Sequence, residues 1–170
     1  NLVVGHGGLF DAAIEQVASQ FPDTFFLGVN GNIAGENYGS VTTNYFQVGY
    51  LAGVVAGLMT KTNKVAYLTG LSFKGTNLQG RAYELGAKSV NSSVEVVISY
   101  TGDFNDIAKG KEAALALIST GVDVIYNLLD NAAPAVLQTA QEKGIYAVGN
   151  TTDQLDVAPK AVLTSTVQDV

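Results

Sequence analysis

The sequence has no cysteine and no tryptophan, and only one methionine and one histidine in 170 residues. The absence of cysteine excludes disulfides, thiolate-bound metals and cysteine nucleophiles. The single histidine, His6, is the one conventional general base near neutral pH, and its own loop holds no serine or cysteine that it could activate. The aspartates that follow later segments are scattered over separate loops and lack the spacing of a calcium loop. The sequence therefore indicates a protein that holds a molecule rather than one that reacts with it.

Charged residues are also scarce, at 14% of the chain, and acidic residues outnumber basic ones by 15 to 9. The net charge of -6 argues against a nucleic-acid partner, because phosphates need a basic surface. No apolar run reaches the roughly 18 residues of a membrane span. The chain does have abundant apolar material, 47%, and 19 glycines. This composition suits one domain or two small lobes with many tight corners.

Strand-like apolar runs alternate with helical patterns along the whole chain. This alternation predicts an α/β fold with parallel strands and right-handed crossovers. A single seven-stranded sheet is one arrangement, but the polar turn at 61–64 favours two lobes divided near residue 62. Strands are predicted at 2–4, 25–29, 39–45, 64–68, 94–100, 122–129, 145–148 and 162–166, and helices at 11–20, 46–59, 78–90, 108–119 and before Gly144.

Three glycines in the helical pattern at 46–59 recur at four-residue spacing, Gly49, Gly53 and Gly57. The same spacing occurs in dimer motifs of membrane helices. Close packing of this helix on a sheet or on another helix explains the spacing better.

Polar and aromatic side chains follow the predicted strands, at the edge where open parallel sheets bind ligands. The glycine-rich corner at 5–8 lacks both the dinucleotide fingerprint and the phosphate-loop signature. Several of these side chains also have structural interpretations: Asp11 as a helix cap and dipole partner, Asp130 and Asn131 as another cap, and Phe73 as packing between lobes. No helix is predicted after Thr151, which favours a ligand role there. The candidate ligand-binding residues are His6, Phe10, Asp11, Asn30, Phe73, Asp130, Asn131 and Thr151.

Longer stretches in a fixed order carry a family resemblance over nearly the whole chain. They are 5–13 (GHGGLFDAA), 46–65 (FQVGYLAGVVAGLMTKTNKV), 80–91 (GRAYELGAKSVN), 106–117 (DIAKGKEAALAL) and 146–154 (YAVGNTTDQ). In these stretches the chain resembles the basic membrane protein family of substrate-binding lipoproteins, the purine-nucleoside receptor type that serves ABC importers.

The resemblance implies a type I periplasmic-binding-protein fold, with two Rossmann-like lobes, parallel sheets and a ligand held between the lobes. On this mapping residues 1–62 are the remaining half of the first lobe, 63–160 the second lobe, and 161–170 lead back across a hinge. The family's first segments, with their lipobox cysteine, and its last segments are expected to lie outside this sequence.

The resemblance also implies a non-enzymatic receptor outside the cytoplasm, whose partners are a purine-like ligand and an ABC transporter permease. Membrane contact is expected only through a lipid anchor beyond this stretch, and no cofactor or metal is expected. A sensor or regulator with the same fold is the main alternative, and a nucleoside-processing enzyme is a weaker one.

The sequence departs from the family pattern at the corner 149–154. The family motif G-V-D-S-D-Q reads GNTTDQ here, so that Thr151 replaces the first aspartate. A threonine can donate a hydrogen bond, but it cannot supply the charged acceptor that grips two ribose hydroxyls. Asp130 stands in a loop that is often glycine-rich in the family. A purine-like ligand is expected, and the choice between base and nucleoside depends on these two positions.

Overall fold

Two parallel β-sheets, each in its own unit, form the framework of the chain. The computed structural model describes residues 1–168. Contacts divide it into a first unit, Asn1–Asn44 with Phe73–Gly75, and a second unit, Tyr45–Ser72 together with the chain from Thr76 onward.

The first unit is a three-stranded parallel sheet with one helix. Strand β1 spans Leu2–His6, β2 spans Phe25–Val29 and β3 spans Tyr38–Val41, in the order β1-β2-β3. A 3₁₀ turn, Gly8–Phe10, leads into helix α1, Asp11–Ala18. The small core of this unit consists of Ile14, Ala18, Phe26 and Ile33.

The second unit is a five-stranded parallel sheet with helices on both faces. Its elements in chain order are α2 Tyr45–Met59, β4 Lys64–Thr69, α3 Lys74–Val90, β5 Glu95–Tyr100, α4 Ile107–Ser119, β6 Val124–Leu128, α5 Ala133–Lys143, β7 Tyr146–Thr151 and β8 Val162–Val167. The strand order is β5-β4-β6-β7-β8.

In this second unit, successive residues of a strand point to opposite faces of the sheet, and a different pair of helices covers each face. On one face, Val65, Tyr67 and Tyr126 pack with side chains of α2 and α3. On the other face, Leu68 and Ile125 pack with side chains of α4 and α5. Such strands, buried on both faces, read as continuous apolar runs, which is why the sequence pattern located them well. Within residues 1–168, no helix combines the length and apolar character that crossing a bilayer requires.

The predicted alternation of parallel strands and helices is confirmed, with two sheets rather than one. The largest differences are that β3 ends at Val41 and that α3 begins at Lys74. The first turn of α3 contains Gly75, Thr76 and Asn77, which are poor helix formers and conceal the helical periodicity.

The predicted lobe boundary near residue 62 stays a prediction, and contacts group α2 with the second unit. The reason is close packing of α2 on α3. A Cβ added to Gly53 would lie 2.8 Å from the amide nitrogen of Ala87, and one added to Gly57 would lie 2.6 Å from the carbonyl oxygen of Ala87. Only glycine lets the two backbones approach so closely. The packing interpretation of the four-residue glycine spacing is therefore confirmed.

Strand β8 pairs with β7 and forms an edge of the second sheet. The predicted return of residues 161–170 across a hinge extends into residues 169–170, which lie outside the described part of the chain. The division of the whole protein into lobes stays a prediction.

Candidate ligand-binding site

In the first unit, the carboxyl ends of β1 and β2 lie side by side. His6 at the end of β1 pairs with Val29 at the end of β2, and the amide of Gly7 donates to the carbonyl of Val29 at 2.8 Å. Gly7 has φ +107°, a conformation that favours glycine. Asn30 follows β2 with φ +59°, which asparagine tolerates better than most residues. The predicted residues His6 and Asn30 therefore share one edge of this sheet, where His6 is exposed.

Asp11 does not cap helix α1, so the cap interpretation is wrong, whereas its place in the first turn of α1 fits the predicted role as partner of the helix dipole. It is the first residue of α1, and the N-cap position is Phe10, without a side-chain hydrogen bond. The Asp11 carboxylate instead reaches the loop after β2, where Oδ2 accepts from the amide of Asn32 at 2.8 Å. Its Oδ1 is buried and has no hydrogen-bond partner within residues 1–168. A buried acceptor without a donor costs about 1–3 kcal/mol, so this oxygen is a candidate contact for a ligand N–H or O–H.

Phe73 groups with the first unit and lies beside Gly8. A Cβ on Gly8 would lie 3.4 Å from the Phe73 ring and 3.1 Å from the carbonyl oxygen of Asn30. Any larger residue at position 8 would force the ring or the loop to move. Phe10 packs its Cβ against Gly5 and stays half exposed, at 51%. The structure thus places an aromatic ring beside Gly8, after β1, and a carboxylate at the loop after β2, which the sequence alone did not show.

In the second unit, Asp130 and Asn131 follow β6 at its carboxyl end, and both are exposed. They do not cap helix α5, because the N-cap is Ala132 and no side-chain cap hydrogen bond is formed. Asp130 contributes only its backbone carbonyl to the helix start, accepting from the amide of Ala133 at 3.1 Å. The cap interpretation is wrong here too, so the Asp130 carboxylate lies at the sheet edge without a capping role.

The corner after β7 is more ordered than the sequence indicated. Thr151 ends β7, is exposed, and has φ +72°, which is strained for a β-branched residue. A 3₁₀ turn, Leu155–Val157, follows, whereas the sequence predicted no helical segment. Asp153 serves this turn, because its Oδ1 accepts from the amide of Leu155 at 3.1 Å. Thr151 is the residue of the predicted ligand-binding set that lies at this corner, and its side chain is exposed.

Sequence reasoning missed a chain of buried and partly buried polar side chains beneath this corner. Gln79 donates to the hydroxyl of Tyr126, that hydroxyl lies 2.9 Å from Oγ1 of Thr166, and Thr166 donates to Oδ1 of Asn150 at 3.0 Å. Burial raises the pKa of Tyr126 to about 12, so its hydroxyl is neutral at physiological pH. The available signal was a tyrosine and an asparagine within otherwise apolar strands.

A groove of about 400 Å³ also lies in the second unit, between α2 and β8. None of the predicted ligand-binding residues lines it. Its walls are Gln47, Val48, Leu51, Ala52, Val55, Thr164, Ser165, Thr166 and Val167. Among residues 1–168, no cluster of histidine and acidic side chains could hold a metal ion.

Parallel α/β units with polar side chains at their carboxyl edges define a ligand-binding protein of the α/β class. The particular family follows from comparison with known proteins. Residues 1–170 match the model of the Bmp family, described as PnrA-like ABC transporter substrate-binding proteins, and the chain belongs to this family. The family consists of substrate-binding proteins rather than enzymes, and the predicted family is confirmed.

Individual relatives differ in their described roles. The chain is 32% identical to the transcriptional activator protein med of Bacillus subtilis, over 100% of this chain and 53% of that protein. It is 30% identical to a purine-binding protein of Brucella abortus, over 95% of this chain and 45% of that protein. The chain therefore spans about half the length of these relatives.

A solved structure supports the fold assignment. The solute-binding protein of an ABC transporter system from Aeropyrum pernix superposes with a TM-score of 0.86 at 22% identity, covering 96% of this chain and 50% of that chain. The predicted fold class is confirmed.

Proposed function

We propose that the chain is the ligand-binding part of an extracytoplasmic receptor that delivers a purine base or nucleoside to an ABC importer. Family membership supports the receptor role, and the Brucella abortus relative is a purine-binding protein. We propose that membrane contact is made through a lipid anchor outside this stretch. The permease partner and the location outside the cytoplasm belong to this proposal.

The observation that carries the proposal is Oδ1 of Asp11, unpartnered in the described part of the chain, in the same unit as the Phe73 ring. Oδ1 of Asp11 is buried and lacks a hydrogen-bond partner within residues 1–168, so it suits a ligand N–H or O–H. The Phe73 ring beside Gly8 offers a flat apolar surface. Stacking of a base on an aromatic ring contributes about 1–3 kcal/mol, and a hydrogen bond to a charged group about 1.5–3 kcal/mol. A purine combines the flat ring and the polar edge that these two side chains require.

In the second unit, the exposed side chains of Asp130, Asn131 and Thr151 at the carboxyl edge of the sheet are also proposed as ligand contacts. Binding is proposed to shift the receptor from an open to a closed form that the transporter reads. The receptor role requires no chemical step, so the bound molecule is released unchanged.

Isothermal titration of the purified protein with adenine, guanine, hypoxanthine, xanthine and their nucleosides tests the proposal, with uridine and cytidine as comparisons. We expect heat and a thermal shift with at least one purine and weaker binding of the pyrimidines. Asp11→Asn should weaken the best purine by about tenfold, because a charged acceptor becomes a neutral amide. The matched control is Asp23→Asn, an exposed carboxylate in the same unit. No heat and no shift with any purine would reject this ligand class.

The residue at position 151 is expected to decide whether the protein prefers a purine base or a nucleoside. Thr151 cannot grip two hydroxyls as a carboxylate does, so we expect hypoxanthine to bind at least as tightly as inosine. Thr151→Asp should shift this ratio toward inosine, and aspartate also tolerates positive φ better than threonine. An unchanged ratio would show that position 151 does not contact the ribose.

Regulation of transcription is the second candidate function, favoured by the 32% identity to the Bacillus subtilis activator. A strain that lacks the protein separates the two functions. Loss of purine uptake without change in transcript levels supports the receptor, whereas altered transcripts with normal uptake support the regulator.

A further inference from the structure

Asn150 is a buried asparagine at the carboxyl end of β7, directly before the candidate residue Thr151. Its side chain is 4% exposed. Three donors converge on Oδ1: the amide of Thr151 at 2.9 Å, Oγ1 of Thr166 at 3.0 Å and Nε2 of Gln168 at 3.3 Å. The side-chain oxygen of Asn150 is thereby fully engaged.

These contacts fix the orientation of the Asn150 amide. The Thr151 amide is a backbone N–H and can only donate, so the atom facing it must be the side-chain oxygen. The NH₂ group therefore points away from Thr151. Nδ2 of Asn150 is buried and has no hydrogen-bond partner within residues 1–168. A buried donor without an acceptor requires an explanation, such as a ligand or water contact.

Side chains in the core of the second unit hold the Asn150 amide in this orientation. Thr166 links Asn150 to the hydroxyl of Tyr126 at 2.9 Å, and Gln79 of α3 donates to the same hydroxyl. Tyr126 is held in turn by the ring of Tyr83, with centroids 5.5 Å apart and an interplanar angle of 24°. A rigid aromatic cluster thus fixes one end of the polar chain, and Asn150 is its other end at the sheet edge.

We infer that Nδ2 of Asn150 donates a hydrogen bond to an acceptor atom of the ligand, and that Tyr126 and Thr166 are positioning residues that hold it for this contact. The inference rests on the proposed purine-binding function and adds a residue outside the predicted set. Because Oδ1 is engaged, Asn150 offers only a donor. The ligand atom that meets it is a ring nitrogen or a carbonyl oxygen, not an amino group.

The test measures dissociation constants by titration for the best-bound purine of the panel and for its deaza or deoxo analogues, each of which lacks one acceptor. In the wild type, one analogue should bind about tenfold more weakly, the worth of one hydrogen bond. In Asn150→Ala the parent purine should bind about tenfold more weakly, and the same analogue should lose nothing further. Such non-additivity identifies a direct contact.

A pair of variants at position 166 tests positioning without touching Asn150. Thr166→Val removes the hydroxyl at nearly constant shape and should weaken purine binding severalfold, whereas Thr166→Ser keeps the hydroxyl and should restore it. Tyr126→Phe should weaken binding in the wild type but not in the Asn150→Ala background. Tyr83→Phe is the matched control, because its hydroxyl lies outside the polar chain, and it should leave affinity unchanged.

The possible results separate the inference from the proposed function. If no purine binds the wild type, the proposed function fails and the inference fails with it. If purines bind normally to the wild type but Thr166→Val and Thr166→Ser bind equally well, the function stands and the inference is overturned. If Asn150→Ala does not fold, the Thr166 pair and Tyr126→Phe, checked for folding by urea titration, still decide the question.

Discussion

Replacing Gly53 by alanine has two opposite effects on the stability of the fold. Gly53 lies in the middle of α2 and is buried. In an isolated helix, Gly→Ala stabilises by about 1 kcal/mol, because alanine has the higher helix propensity. In this protein the new methyl group would meet the backbone of α3, and we expect the substitution to destabilise the fold.

The structure gives the size of the steric clash between the new methyl group and α3. A Cβ at position 53 would lie 2.8 Å from the Ala87 amide nitrogen, against about 3.4 Å for an ordinary contact, and closer still to the carbonyl oxygen of Tyr83. The helices must therefore separate by more than the difference of about 0.6 Å. Overpacking costs about 1–3 kcal/mol, and the upper value applies because backbone rather than a flexible side chain blocks the methyl group. Subtracting the propensity gain leaves a net loss of about 2 kcal/mol.

Urea unfolding followed by far-ultraviolet circular dichroism measures this loss as a lower midpoint at constant slope. The control is Leu58→Ala in the same helix, since Leu58 is 65% exposed and should change the free energy of unfolding by no more than about 0.5 kcal/mol. A Gly53→Ala variant that is more stable than the wild type would refute direct backbone contact between α2 and α3.

Further predictions concern titration and a loop carboxylate. Burial raises the pKa of the phenols of Tyr67, Tyr83 and Tyr126, the last to about 12. The folded state therefore keeps protons that the unfolded state releases above about pH 10, and stability should fall as pH rises, by about 1.4 kcal/mol per pH unit for Tyr126 alone. Urea midpoints measured between about pH 9 and 11.5 check this expectation. A midpoint that does not change with pH contradicts it. The Tyr126→Phe variant should show a smaller decrease of stability with pH. The Asp123 carboxylate accepts from the amide of Lys61 at 2.6 Å, among other donors. Asp123→Ala should lower the free energy of unfolding by about 2 kcal/mol, and Asp123→Asn should lower it by less. Equal stability of the wild type and both variants in urea would show that these hydrogen bonds contribute nothing.

Most of the fold could be predicted from the sequence, because buried parallel strands and amphipathic helices leave strong periodic signals. The run at 122–129 is continuous and apolar, and β6 lies within it. The start of α3 could not be predicted, since its first turn owes its helical state to tertiary contacts rather than to propensity. One such contact is the hydrogen bond that Nζ of Lys74 donates to Oδ1 of Asn32 at 2.8 Å.

The sequence predicted that the candidate site lies at the ends of strands, but it did not predict which residues contact one another there. Sequence position alone gave Asp11 a local capping role, whereas its carboxylate binds the amide of Asn32, 21 positions along the chain. The pairing of Phe73 with Gly8 was equally hidden, since 65 positions separate them in the sequence. Partners at such distances are chosen by the fold, and a single sequence carries no local signal for them.

The strained conformation of Thr151 connects the core of the second unit to ligand choice. A β-branched residue at φ +72° persists only where its surroundings over-determine it. The Thr151 amide is held by Oδ1 of Asn150, which Thr166 and through it Tyr126 hold in place. A substitution at buried position 126 therefore reaches the exposed Thr151 side chain through three hydrogen bonds. Ligand preference at this corner should depend on buried residues as much as on those that touch the ligand, so Tyr126→Phe should change the ratio of inosine to hypoxanthine affinity while Tyr83→Phe leaves it unchanged.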